Sequence, residues 1–325
     1  SQPAVLYAKQ QAIPADQTQF PKRLLEEDML FWQRQMEESH VNPYHAISRE
    51  GLLQLRQNIL NDLPDMVNRS QASFAVSRLI SALNEGHLGL ASDKVSDSIY
   101  SFHSVRFPYF ISHITNDGWY VRLDLSKEKS LDSHARIISI NSIPVTQLYN
   151  RYRQYFGGLE EWRKVQVKDN IRKLLFLDGI ESPFRIRAVK GMDTLSVTAT
   201  GYTRADADSL NKVLAKLLPS ALPYEYKMLD NNIGYLAFNS MNGRLRSAFS
   251  AFLQKTFFEI RSNAVKGLII DLRNNGGGDS GLGDSLISYI SNKPYRNAGG
   301  MKMKISAQAK EMAALRKTRF PLENM

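Results

Sequence analysis

The chain of 325 residues has no cysteine, which excludes a disulfide framework, a thiolate metal site and a cysteine nucleophile. No run of eighteen or more apolar residues occurs, so no segment reads as a membrane span. Blocks of five or six like charges are missing, although Lys and Arg outnumber Asp and Glu by 42 to 32 and the formal net charge is +10. Scattered positive charge of this kind favours solubility over a nucleic-acid partner, because bulk charge speaks to association and not to a site. Neither Gly-x-x-x-x-Gly-Lys-Ser/Thr nor Gly-x-Gly-x-x-Gly follows a strand, which argues against a nucleotide binder. The six histidines fall at no metal-ligand spacing, and neither a metal nor a cofactor is expected. The first residue is Ser, with no charged-then-apolar leader behind it. The expectation is an N-terminus left by processing, as after removal of an export signal, and an extracytoplasmic location: periplasmic, secreted or lipid-anchored.

What is present is material for a core: 43% hydrophobic and 10% aromatic residues, enough for two or three domains. Residues 1–95 read as a helical domain, without strand-like alternation from Phe20 to Asn84. In its last helix Ala72, Ala75, Val76, Leu79, Ile80 and Leu83 share one face, Ser70 is the expected N-cap, and Glu85-Gly86 ends it. His87-Leu88-Gly89-Leu90 then reads as extended. Residues 96–205 read as β-rich from about Ile99, with Trp119–Leu123, Ala135–Ile140 and Phe184–Arg187 as the clearest strands and a helical insertion from about Gln147 to Phe176.

Residues 206–325 read differently. Thr203 to Pro223 is a linker with one helix. Ile233–Phe238, a helix over Leu245–Arg261 facing inward through Leu245, Phe249, Phe252, Leu253, Thr256, Phe257 and Ile260, and Leu268–Leu272 make a βαβ unit with a right-handed crossover. The second strand is apolar on both faces, as buried parallel strands are. After it comes Arg273-Asn274-Asn275-Gly276-Gly277-Gly278, at the carboxyl end of a strand where open α/β sheets place reactive groups. Three glycines let the backbone take dihedrals closed to other residues and bring N–H groups close to a substrate carbonyl. An ordinary strand-to-helix turn has the same composition. Beyond Gly299-Gly300, Lys302–Ile305 reads as a strand, and a helix follows to near Pro321.

The run Leu268–Gly278, the segment Leu83-Asn84-Glu85-Gly86-His87 and the central Ile137-Ile138-Ser139-Ile140-Asn141-Ser142-Ile143-Pro144-Val145, in that family's order, resemble the tail-specific (C-terminal-processing) serine proteases, including their tricorn-core-like branch. The resemblance implies an α/β (α+β) multidomain fold: a helical cap, a PDZ-like middle and a C-terminal βαβ core of the ClpP/crotonase-like type, incomplete here. It implies a serine endopeptidase acting through an acyl-enzyme on unstructured or C-terminal polypeptide segments, with an oligomer allowed. His87 is similar in context to the general base, and Gly277 or Gly278 to the oxyanion donor. Phe107 and Tyr109, in Phe107-Pro108-Tyr109-Phe110, would then border the peptide groove, and an interior strand is an equal reading.

Asp271 and Arg273 are expected to hold the turn and not substrate, and Asn274 and Asn275 to shape it. His40, His45, His103, His113 and His134 stand in no motif. Ser133-His134-Ala135-Arg136 replaces the Gly-Asp pair usual before the Ile-Ile strand. No segment after Gly278 resembles the family's serine motif, and Ser280, Ser285, Ser288, Ser291 and Ser306 are not matched to it. The expectation is a chain that stops before the nucleophile. A catalytically inactive peptide-binding or scaffold protein of the same fold is the alternative.

Overall fold

A computed structural model describes residues 18–90, 94–103, 105–217, 221–300 and 302–315. The architecture is mixed α/β, in two compact units. One comprises residues up to 211 together with the tail from 303, and the other residues 212–302. Among the described residues no helix is long and apolar enough to cross a membrane.

The first unit begins with β1 (Gln19–Pro21), paired antiparallel with β2 (Met66–Asn68), a small strand pair within a region expected to be wholly helical. Between them run α1 (Lys22–Ser39) and α2 (Arg49–Asn61). Helix α1 buries Leu25, Met29 and Met36, spaced so that they share one face, against Leu52 and Ile59 of α2 and Ala75 and Leu79 of α3 (Arg69–Ser81). The N-cap of α3 is Asn68 and not Ser70. Asn68 Oδ1 accepts the Gln71 N–H at 2.8 Å and Gln71 Oε1 accepts the Asn68 N–H at 2.9 Å, a reciprocal box that a buried Ser70 does not make.

Helix α4 (Lys94–His103) occupies the start of what was expected to be strand. The sheet proper follows, from β3 (Tyr109–Thr115), β4 (Gly118–Asp124), β5 (Arg136–Ile140) and the short β6 (Ile143–Pro144) to β7 (Phe184–Lys190) and β8 (Asp193–Ala199). Its order is β3-β4-β5-β7-β8, antiparallel throughout, with β6 beside β5. The expected insertion is α5 (Val145–Tyr152) and α6 (Glu160–Leu177), whose Leu148, Tyr152, Val167, Ile171 and Leu175 complete the core on Trp119, Ile137 and Phe184. Helix α7 (Arg204–Leu217) follows.

In the second unit β9 (Tyr224–Leu229) and β10 (Ile233–Phe238) form an antiparallel hairpin. Asn231 and Asn232, both at φ 61°, make its turn. Helix α8 (Arg246–Ser262) leads to β11 (Gly267–Asp271), parallel to β10 with Ala237 opposite Asp271. The core is Leu236, Phe238, Phe249, Leu253 and Phe257 with Leu282 and Leu286 of α9 (Ser280–Ile290). Strand β11 is an edge with Ile269 48% exposed, so it is not the fully covered strand that its composition implied.

The tail has no strand over Lys302–Ile305, and helix α10 covers Ala307–Leu315; the expected end near Pro321 lies outside the described residues. Lys304 Nζ donates to the Glu37 carbonyl at 2.6 Å and the Ala307 N–H to Glu38 Oε1 at 3.1 Å, so this segment packs with the first unit.

Candidate active site

His87 sits in a turn four residues after the buried Leu83. That turn is fastened to the loop before α6. Asn84, in the left-handed region at φ 55°, accepts through Oδ1 from the Gly158 N–H at 3.1 Å and from Arg163 Nη2 at 2.8 Å, while Arg163 Nε donates to the Gly158 carbonyl at 3.0 Å. Gly157 permits the approach: a Cβ there would lie 2.5 Å from the Glu85 carbonyl oxygen. Glu85 is held from the other side, with Oε1 2.8 Å from His40 Nε2 and 3.7 Å from His45 Nδ1. The Asn42 N–H donates into His40 Nδ1 at 3.1 Å, which leaves the proton on Nε2 and makes His40 the donor to Glu85. His40 and His45 therefore have a place at this turn that their sequence surroundings did not signal.

The His87 imidazole is exposed and makes no hydrogen bond among the described residues. It lines a cleft of about 390 Å³, together with Trp162, Tyr155, Phe156, Leu88 and Leu174. The segment Leu88–Leu90 is irregular and not a strand.

The glycine turn is built on Asp271. Its carboxylate accepts from Arg273 Nε at 2.9 Å, Arg273 Nη2 at 2.6 Å, the Arg273 N–H at 3.0 Å and the Tyr235 hydroxyl at 2.5 Å. The Arg273 guanidinium, then the Tyr235 hydroxyl, hold this carboxyl well below the usual carboxylate range. Asn275 ties the turn to the end of β10, Nδ2 donating to the Phe238 carbonyl at 2.8 Å and Oδ1 accepting the Gly277 N–H at 2.9 Å. Asp271, Arg273 and Asn275 thus hold and shape the turn as expected.

Gly276 to Gly278 are exposed. Gly277 spends its N–H on Asn275, whereas the N–H groups of Gly276 and Gly278 have no partner among the described residues. Gly278, at φ 137°, lies beside Met241 so closely that a Cβ would stand 2.4 Å from the Met241 carbonyl oxygen. Free amides on an exposed turn can receive an oxyanion, and a free imidazole beside an apolar cleft can take a proton. The two features lie in different units.

Phe107 and Tyr109 are not at a groove. They are 1% and 0% exposed, packed edge to face at 5.3 Å, with Phe107 against Phe184 as well. The buried Arg172 guanidinium, lying 3.6 Å over the Phe110 ring, donates to the Phe107 and Tyr109 carbonyls at 3.2 and 3.3 Å, and burial pushes the Tyr109 hydroxyl up to about 12. Both residues are core: alternation along β3 turns Tyr109 inward, and Phe107, before the strand, packs on Phe184.

Among the serines after the turn, Ser285 and Ser288 donate to carbonyls within α9, Ser291 donates to the Lys293 carbonyl, and Ser306 accepts the Ala309 N–H at the start of α10. Ser280 opens α9, whose N-cap is Asp279.

Residues 232–314 match Peptidase family S41. The match includes β10, β11 and the glycine turn and leaves His87 outside. Among solved structures, mature CPAF complexed with lactacystin is similar with TM-score 0.54 at 14% identity, over 82% of this chain and 59% of that one. Mature CPAF alone gives 0.51 at 12% identity, over 79% and 56%. The likeness is one of fold, and the chain spans less than two thirds of the length of these proteins. No curated protein matches the chain significantly.

Proposed function

We propose that this chain is the non-nucleophile portion of a serine endopeptidase of the tail-specific, tricorn-like kind, hydrolysing peptide bonds in unstructured or C-terminal segments through an acyl-enzyme. The observation that carries the reading is the exposed turn with free Gly276 and Gly278 amides inside the segment that matches Peptidase family S41. In this reading Gly278 N–H stabilises the tetrahedral oxyanion, a donor of a kind worth about 3 to 4 kcal/mol in the transition state. Gly277 serves only after releasing Asn275. His87 is the general base, the nucleophile is a serine not identified in this chain, the middle sheet is a PDZ-like domain, and the setting is extracytoplasmic. The test is hydrolysis of an unstructured polypeptide by a full-length version of this chain that carries the serine, with and without His87→Ala. Equal rates in the two folded proteins would remove His87 from the mechanism.

A second reading is a catalytically inactive peptide-binding or scaffold protein. It is favoured by the use of Ser285, Ser288, Ser291 and Ser306 in backbone hydrogen bonds. A fluorophosphonate separates the two, since it labels an activated serine and leaves a binding module unlabelled.

A further inference from the structure

The cleft beside His87 is walled by one face of α6. Trp162, Gln166, Asn170, Lys173, Leu174 and Leu177 recur at the three- and four-residue spacing that aligns side chains along a helix. The opposite face of α6 is spent on the core through Val167, Ile171 and Leu175, with Leu174 shared between core and cleft, so the Trp162 stripe is a second use of the same helix. Ser73, Phe74 and Ser77 of α3 form another wall, where Phe74 stacks on Tyr155 with ring centroids 4.4 Å apart. Trp162 is 45% exposed, and its indole lies against the backbones of Gly86 and Gly158, where a Cβ would stand 3.6 and 3.1 Å from it. The ring is therefore set in place by the same two loops that fix the His87 turn.

Aromatic walls already stacked cost little ordering when a ligand enters, and a volume of about 390 Å³ lies at the small end of ligand pockets. Among the described residues no carboxylate lines the cleft. Its ionisable lining groups among the described residues are Lys173, which is ion-paired with Asp97, the Tyr155 hydroxyl and His87 itself. Asn170 Nδ2 donates to the Gln166 carbonyl at 2.9 Å, and the side chains of Ser73, Ser77 and Gln166 with Asn170 Oδ1 remain for the polar backbone of a bound peptide. The chemistry suits a bulky uncharged side chain and opposes a cationic one.

We infer that this cleft is a specificity pocket that takes one aromatic or branched aliphatic side chain of an extended polypeptide and rejects Lys and Arg. Its role next to the cleaved bond rests on the reading of His87 as general base. Binding to it does not.

The experiment uses amidated, fluorescently labelled ten-residue peptides of Gly, Ser and Ala with one central Phe, Leu, Ala or Lys, titrated into the protein by fluorescence anisotropy. Burial of a large apolar side chain predicts that the Phe and Leu peptides bind at least about tenfold more tightly than the Ala peptide, with Lys no better than Ala. Ser77→Trp, which places an indole in the cleft, should bring all four affinities within about twofold of one another. Four equal affinities in the unaltered protein, or a preference that survives Ser77→Trp in a folded variant, would overturn the pocket. Loss of turnover in a full-length His87→Ala variant, with no side-chain preference in the unaltered protein, would sink the pocket alone. A preference with turnover indifferent to His87 would sink the general base alone.

Discussion

A Cβ at Gly157 would press into the Glu85 backbone, whereas one at Gly276 would meet nothing within 4 Å. The contrast runs through both turns. The His87 turn is held from outside, by Gly157, Gly158 and Arg163 on one flank and His40 on the other. The Asn274–Gly278 turn is held from within by Asp271, Arg273 and Asn275 and meets other backbone only at Phe238 and, through Gly278, at Met241, while Gly276 and Gly277 face open space. A base must keep one orientation, which an external clamp supplies. A group of amides must stay uncovered, and short-range bonds leave room for that.

The largest effect expected is on chemistry. Under the general-base reading, His87→Ala should lower the turnover of a full-length protein that carries the serine by about 10² to 10⁴-fold while leaving the thermal transition in place, since among the described residues the imidazole makes no bond that supports the fold. A melting shift of several degrees would mean that the side chain belongs to the clamp.

On stability, Gly157→Ala should cost about 1 to 3 kcal/mol in chemical denaturation, because the rigid Glu85 backbone must move. Gly276→Ala should stay within about 0.5 kcal/mol. Equal costs would erase the distinction between the turns.

Asn275→Ala removes the bonds to the Phe238 carbonyl and the Gly277 N–H and should cost about 1 to 2 kcal/mol. If hydrogen exchange at Gly277 does not rise in this variant, the internal hold is not what shapes the turn.

The smallest effect is one of pH. The Asp271 carboxyl is depressed in the folded chain by Arg273 and Tyr235, so its contribution is present above the ordinary carboxylate value of about 3.9 and fades as pH falls below it. Asp271→Asn should flatten that acid limb, read as denaturation midpoint against pH. An unaltered limb would place the acid sensitivity elsewhere.

Much of this was legible in the residues. The apolar spacing of Leu245–Arg261, the apolar run Leu268–Ile270 and the Asp-x-Arg-Asn-Asn-Gly-Gly-Gly sequence gave a helix, a strand and a self-bonded turn, found with the helix at Arg246–Ser262. Strand β9 escaped, although Tyr224, Tyr226 and Met228 alternate before Asp230-Asn231-Asn232, and adjacent asparagines suit a hairpin turn with two positive φ angles. Phe107 and Tyr109 were misplaced because an aromatic pair flanking a proline has the composition of a groove and of a core alike. Only the position of Arg172 beneath them decides. The clamp on the His87 turn joins residues more than seventy positions apart, and no local pattern announces a contact of that separation.

Strand β11 has one further consequence. Among the described residues it bonds to β10 alone, so the outer row of donors and acceptors from Gly267 to Asp271 is unspent, and Ile269 stands half bare beside it. Such a margin templates adhesion between copies unless something repels. Lys266, exposed at one end, is a charge of the kind that opposes such adhesion, while Arg273 at the other is already paired with Asp271.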